Sequence, residues 1–398
     1  MSRARAADPP PGPRERSALR VLDYLFREGP ASRDDVVRAT TLSRATVSKL
    51  VGELSAHGLV TELPAPVTTS GRAGRPPALL ALNPAIGAVA GIDFDHHLVW
   101  VALADLSGTV VAERRHELDV DNEAARAIDL AVAGVRELAA EAQLPADRLV
   151  GVGAAISAPV RRDSGGLAAA EVMTSWSSIS LRGELEGRLG VPVHVGNDAN
   201  LGALAEVRAG AARGAANVVY LMLSSGVGGG LVLDGSLFTG HNGMTGELGH
   251  VPVEPDGARC RCGNRGCLET VAGAERLLAA LRPTHGADIT VEEAASRARA
   301  GDPICRELFE RAGVAAGRVA GGICNVINPE LVIVGGDLIL AGDLLVDAVR
   351  AGVAETAMRA ISDEVRVVAA TLGDRSELLG AIGLAIAEAD IAAVARVG

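Results

Sequence analysis

Apolar positions recur at helical spacing from the start of the patterned chain: in RSALRVLDYLFREG, Leu19, Leu22, Leu25 and Phe26 share one face and Gly29-Pro30 supplies the stop. In SRDDVVRAT, Ser32 stands as an N-cap with Asp35 three residues on, a capping box with Asp in the usual Glu or Gln position. LSRATVSKLVGELSAHGLV then opens on a second cap, Ser43, and carries the stripe Val47, Leu50, Val51 and Leu54 to a stop near Gly58. Three short helices with a tight turn between the second and third predict a helix-turn-helix. Two short strands, LVTEL and ALLALN, flank the glycine- and proline-rich GRAGRPP and make it the winged version, closed by Asn83-Pro84. Residues 1–14 are Pro, Ala and Arg without periodicity, and a disordered tail is expected there.

From Ile86 the period changes. The stretch GAVAGIDFDHHLVWVALADLSGTVVAERRHEL reads as a β-meander, followed by a helix (EAARAIDLAVAGVRELAAEA), the strand LVGVGAAIS, a helix over 180–189 and the strand VPVHVGND. A second unit of similar order starts at NVVYLMLSSGVGGGLVL, contains a long helix over 304–327 and reaches a further strand at ELVIVGGDL. Strands alternating with helices predict an α/β body, and the repeated order predicts two related lobes around a cleft.

Length and charge sharpen this picture. A chain of 398 residues exceeds the size at which single cores stop growing. No run of 18 apolar residues and no apolar stretch behind the basic N-terminus are found, so the expectation is a cytosolic protein with no membrane partner. The net charge is −11, yet residues 1–80 carry 12 Lys and Arg against 8 Asp and Glu, so the front end alone suits a polyanion. The only lysine is Lys49, which excludes a GxxxxGK phosphate loop and a Schiff-base lysine from the body.

Three of the five cysteines crowd into HVPVEPDGARCRCGNRGC. In a reducing compartment such a cluster is not a disulfide framework. His250, Cys260, Cys262 and Cys267 supply the four N/S ligands of a closed tetrahedral Zn²⁺ site, and the intervening glycines and prolines let the backbone wrap a small ion.

The run GELGH at 246–250 followed by CRCGNRGCLE at 260–269 resembles the signature of the ROK family of sugar kinases and sugar-responsive transcriptional repressors. VGNDANLGALAE at 195–206, LSSGVGGGLVLDG at 223–235 and INPELVIVGGDL at 327–338 follow in the family's order. The resemblance implies a two-lobed body of the actin and hexokinase kind over 84–398: a small lobe over about 84–197 joined by a C-terminal helix over about 378–398, and a large lobe over about 198–377. It also implies that Asn197 and Asp198 face a sugar hydroxyl, with Asp198 as base in a kinase, and that Glu247, His250 and Glu269 read the ring. Asn197-Asp198 also suits the cap of the following helix, and both roles are compatible. Trp176 falls where the family covers the sugar, and equally suits a core.

One block departs. Kinases of the family carry Asp-Ile-Gly-Gly-Thr at the end of the first strand; here the residues are Asp93-Phe94-Asp95-His96-His97. Both glycines and the hydroxyl are gone, and Asp95 puts a carboxylate where ATP phosphates should lie. Two like charges ~4 Å apart repel by about 1 kcal/mol in water and several-fold more near a protein surface. The chain is therefore expected to be no enzyme but a regulator of carbohydrate genes, responding to a sugar and binding a double-stranded operator as a homodimer or homotetramer. The alternative is an ATP-dependent hexose or N-acetylhexosamine kinase. In the helix-turn-helix, Ser43, Arg44, Thr46, Ser48 and Lys49 lead the second helix into a major groove, and Arg72 and Arg75 of the wing suit phosphates or a narrow minor groove.

Overall fold

The structure, a computed structural model, describes residues 13–64, 78–168 and 173–390. Helices α1 (Pro13–Glu28), α2 (Arg33–Thr40) and α3 (Arg44–Ala56) come first. Proline suits a first helical turn, where its missing N–H costs nothing, so the helix claims Pro13 and Arg14 from the segment expected to be a tail. Both caps form: Ser32 Oγ accepts from Asp35 N while Asp35 accepts from Ser32 N, and Ser43 Oγ accepts from Thr46 N at 3.1 Å. Strands β1 (Val60–Leu63) and β2 (Leu79–Leu82) pair antiparallel, and Ala31 bridges to Leu80 as a third arm. The wing between them, with Arg72 and Arg75, lies outside the described residues.

The body holds two five-stranded sheets of one design. The first is built from β3 (Ala88–Phe94), β4 (Leu98–Asp105), β5 (Val110–Glu117), β6 (Leu149–Ile156) and β7 (Val193–Asn197), in the order β5-β4-β3-β6-β7, with α4 (Ala124–Glu141) and α5 (Leu181–Leu189) in its crossovers. Helix α6 (Asp198–Ala209) leads out of it. The second sheet is built from β8 (Val218–Leu223), β9 (Val227–Leu233), β10 (Ser236–Leu237), β11 (Leu331–Gly335) and β12 (Arg366–Ala369), in the order β10-β9-β8-β11-β12. In each, two antiparallel pairings are followed by two parallel ones. Around the second sheet pack α7 (Glu269–Ala272), α8 (Ala274–His285), α9 (Val291–Arg299), α10 (Pro303–Ile327), α11 (Asp343–Thr356) and α12 (Arg359–Ser362). The central β3 and the interior β11 are buried along their whole length, and both are apolar apart from Asp93 near the end of β3.

The last helix, α13 (Ser376–Glu388), starts before and stops short of the 378–398 span expected for it, and residues 391–398 lie outside the described residues. It returns to the first sheet, where a Cβ on Gly153 would sit 1.8 Å from Ala381 O; only glycine admits this approach. Leu378, Ile382 and Ala385 of α13 join Val89, Trp100 and Ala102 of the sheet and the winged module's Val21, Leu22, Leu50 and Leu80 in one apolar cluster. The winged module is thus seated on the first lobe.

Candidate functional site

Strand β7 ends on Asn197, whose side chain caps α6 by accepting from Asn200 N at 3.2 Å. The next residue, Asp198, is 7 % exposed, and its Oδ1 accepts from Ala199 N and from Asn197 Nδ2, each at 2.7 Å. Capping by Asn197 and presentation of Asp198 therefore coexist. Burial raises the Asp198 carboxyl above its ordinary range, against the pull of Ala199 N–H and His96.

Facing it across the second sheet is the run Gly246–His250. Glu247 Oε2 lies 3.8 Å from His250 Nε2, and burial, then the charge of Asp198, pushes the Glu247 carboxyl up to about 7. The other ring nitrogen of His250, Nδ1, lies 3.6 Å from Cys260 Sγ, and Cys262 Sγ lies 3.7 Å from Cys267 Sγ. A tetrahedral Zn²⁺ at ordinary bond lengths sets sulfurs about 3.8 Å apart and sulfur and nitrogen about 3.6 Å apart. The four donor atoms lie within 4.8 Å of one another, so the donor set fits the metal in both chemistry and spacing. The imidazole points one nitrogen at the thiols and the other at Glu247.

Glu269, at the first turn of α7, sits 12 % exposed with Oε1 4.0 Å from Cys260 Sγ. Its Oε2 accepts from Arg261 at 2.6 Å. A Cβ on Gly226 would come within 2.9 Å of both the Arg261 guanidinium and that carboxylate oxygen, so the ion pair lies directly over the Ser224–Gly230 turn. Arg261 stands between Cys260 and Cys262 in the chain, and nothing in its local sequence marks it as the partner of Glu269.

The turn that follows β3 differs in kind. Asp95 Oδ1 accepts from His97 N at 3.0 Å, and Asp95 N donates to Leu98 O, so two of the turn's backbone donors are taken up within it. From the other lobe, Asp337 accepts the hydroxyl proton of Ser224, a residue of the glycine-rich turn. Loss of water raises the Asp337 carboxyl, and the field of Asp95 adds to it. Asp93, 5 % exposed, is raised well above the carboxylate range by burial and then by Asp95 and Asp198, and Glu377 is raised by burial and by Asp93. The signal for Asp337 in the sequence was a carboxylate directly after Gly335-Gly336 at a strand end. Trp176 belongs to the core: it is 1 % exposed, donates Nε1–H to Val120 O and packs edge-on to Phe94.

In the winged module Ser43, Arg44, Ser48 and Lys49 are exposed along the leading turns of α3, with Thr46 half-buried. Arg44 donates to Asp34 of α2 at 2.8 Å. The Ser43 and Thr46 hydroxyls are engaged with each other at 2.8 Å.

The ROK family profile matches residues 89–388, three quarters of the chain. The chain belongs to the ROK family. Ahead of that ROK body a MarR family profile matches residues 14–69, a winged helix domain. The DNA-binding transcriptional repressor Mlc of Escherichia coli is 28 % identical over 382 residues, covering 92 % of this chain and 91 % of that protein. The xylose repressor of Bacillus subtilis is 26 % identical over 366 residues, covering 92 % and 94 %. A glucokinase of Halalkalibacterium halodurans is 34 % identical over 248 residues, but spans only 58 % of this chain and 74 % of its own. Among solved structures, a ROK family transcriptional regulator homologous to E. coli Mlc superposes with a TM-score of 0.77 at 25 % identity, over 96 % of this chain and 98 % of that one. The ROK glucokinase of Streptomyces griseus, in complex with glucose and AMPPNP, gives 0.65 at 26 % identity over 75 % and 99 %. These repressors and the regulator cover 92–96 % of this chain, and these glucokinases 58 % and 75 % of it. Among the described residues no helix is long and apolar enough to cross a membrane.

Proposed function

We propose that this ROK protein is a cytosolic transcriptional repressor of carbohydrate genes, released from or retained on its operator by a sugar bound in the cleft. The observation that carries the reading is the pair Asp95 and Asp337, anionic groups from opposite lobes on the nucleotide side of the cleft, alongside a winged helix seated on the first lobe. The glycines that would let the backbone close on phosphate are missing from this turn, the N–H groups of Asp95 and His97 are occupied, and a triphosphate would meet carboxylates.

The sugar side retains its polar groups. Asn197, Asp198, Glu247, His250 and Glu269 would receive the ring hydroxyls. His250, Cys260, Cys262 and Cys267 would hold a structural Zn²⁺, which on binding fixes the loop and the direction of the imidazole. His250 would then offer Nε2 to the sugar, and Arg261 would orient Glu269. Sugar binding draws the lobes together, and the continuous apolar cluster through α13 carries that movement to the winged module. Arg44, Ser48 and Lys49 would enter the major groove, with Ser43 fixing the start of α3. A homodimer or homotetramer places two such helices on half-sites about one helical turn apart. The sugar can shift the equilibrium only by its difference in affinity for the two states.

The glucokinase match favours a second reading, a sugar kinase with a winged domain, since Asp198 and the glycine-rich run Gly226–Gly230 are both present. One pair of measurements separates them: operator affinity across a panel of hexoses, pentoses and N-acetylhexosamines, and ADP release with the same panel. Operator affinity that one sugar changes, with no ADP, supports the repressor. ADP release that Asp198→Asn abolishes would establish the kinase.

A further inference from the structure

His285 closes α8 and Asp302 caps the start of α10, where Cys305 occupies the first turn. The three come together away from the cleft and from the cysteine loop. His285 Nε2 lies 3.0 Å from Asp302 Oδ2 and 3.8 Å from Cys305 Sγ, and the three donor atoms are all within 4.8 Å of one another. The His285 side chain is 7 % exposed and Cys305 is fully buried, while Asp302 keeps one side toward water.

The hydrogen bonds fix the tautomer. Thr284 Oγ1 donates its proton to Leu281 O, so the same oxygen accepts from His285 Nδ1–H at 2.8 Å. In the neutral ring Nε2 then carries a lone pair, and it faces a carboxylate oxygen that also carries lone pairs. In a proton relay the two partners of a histidine sit on different ring nitrogens. Here carboxylate and thiol converge on one nitrogen, and Cys305 also meets the Asp302 carboxylate, so three donor atoms from three residues share one focus. A cation at the common focus satisfies all three.

We propose that His285, Asp302 and Cys305 form a second metal site, suited to a borderline divalent cation such as Zn²⁺, at the junction of α8 and α10. One imidazole, one carboxylate and one thiolate are ligands that Zn²⁺ takes, and tetrahedral edges between such ligands run about 3.3–3.6 Å, within a few tenths of those present. A thiolate and a carboxylate balance the charge of the ion, and the fourth corner is left to water. Thr284 orients the imidazole from behind, as outer partners of metal-bound histidines do. Asp302 Oδ1 stays committed to the cap, accepting from Ile304 N and Cys305 N, so Oδ2 is the ligand oxygen. Burial pushes the Cys305 thiol up to about 11, so binding releases its proton to solvent. The site would staple the beginning of the long helix α10 to the end of α8.

The test counts metal in the full-length chain, loaded with Zn²⁺ and dialysed, by elemental analysis. Two equivalents per chain are expected, falling to one in Asp302→Asn, which keeps the helix cap, and in Cys305→Ala. In the double variant Cys260→Ser/Cys262→Ser one equivalent remains, and adding Asp302→Asn removes it. Co²⁺ in that double variant should show charge transfer from a single thiolate, lost with Cys305→Ala. A single equivalent in the wild type that both Asp302→Asn and Cys305→Ala retain would overturn the proposal and leave a histidinium paired with Asp302. Two equivalents unchanged by both substitutions would overturn it as well.

Discussion

His96 Nδ1 lies 2.8 Å from Asp121 Oδ1 and 3.1 Å from Oδ2, a two-oxygen grip on the imidazole that stands where the family's kinases have glycine. Burial works against the charged ring, but Asp121, then Asp95 and Asp198, outweigh it and raise the His96 pKa. The folded state therefore binds this proton more tightly than the unfolded chain. Its stabilisation is complete below the ordinary histidine value of about 6.5 and is lost as pH rises through the raised folded value. Asp121→Asn should lower the His96 titration midpoint followed by NMR. The stability gap between wild type and variant should be widest at acid pH and close toward alkaline pH. An unmoved midpoint would show that the pair is not what holds the proton.

The cysteine loop should behave as one cooperative ligand set. Cys260→Ser is expected to cost one equivalent of bound zinc and to lower the melting temperature by several degrees, because metal binding free energy is also folding free energy. It should also loosen Arg261 from Glu269, visible as weaker sugar binding by calorimetry. Full zinc content in the variant would refute this ligand assignment.

Asp198→Asn separates sensing from DNA binding. The variant should keep its operator affinity in a gel-shift titration and lose the response to the sugar that shifts the wild type. Asp198 is buried at the first turn of α6 and is bonded to its neighbours Asn197 and Ala199, so a fall in sugar-free operator affinity would be unexpected.

In the winged module, Arg44→Ala should weaken operator binding by about 5- to 150-fold, the range of one good base contact of about 1–3 kcal/mol. Asp34→Asn should act in the opposite direction, since it frees Arg44 and removes a negative charge beside the groove. Its gain should appear mainly as a steeper dependence of affinity on salt.

Gly153→Ala should be among the most damaging small changes. The new methyl would meet the Ala381 carbonyl oxygen at 1.8 Å, and neither the sheet nor α13 can retreat without opening the cluster that seats the winged module. The cost is expected at or above the upper end of about 1–3 kcal/mol, read from chemical denaturation.

The winged module was legible because its signals are local. Ser32, Asp35 and Ser43 act on backbone groups within three residues, and the stripe of Val47, Leu50, Val51 and Leu54 needs only helical periodicity. The convergence of His250, Cys260, Cys262 and Cys267 was legible for a similar reason, since the four lie close in the chain. The acidic turn Asp95-His96-His97 was visible by comparison with the family's pattern. Its partners were not: Asp121 and Asp337 are ordinary acids until the sheets bring them to the cleft. Arg261 is similar, because its role depends on where Gly226 and Glu269 sit. The convergence of Asp302 and Cys305 on one nitrogen of His285 had no signature at all in the sequence.

By itself the sequence determined the helices of the winged module, the alternation of strands and helices in the body, the Cys/His cluster and the departure of the phosphate turn, because each follows from side-chain chemistry acting over a few residues. Tertiary structure alone decided which charges confront one another across the cleft, and which nitrogen of His250 faces the thiols. It also decided that Trp176 packs inside rather than covering a sugar. Those outcomes depend on distances between residues remote in the chain, which are set when the two sheets, α6 and α13 pack together.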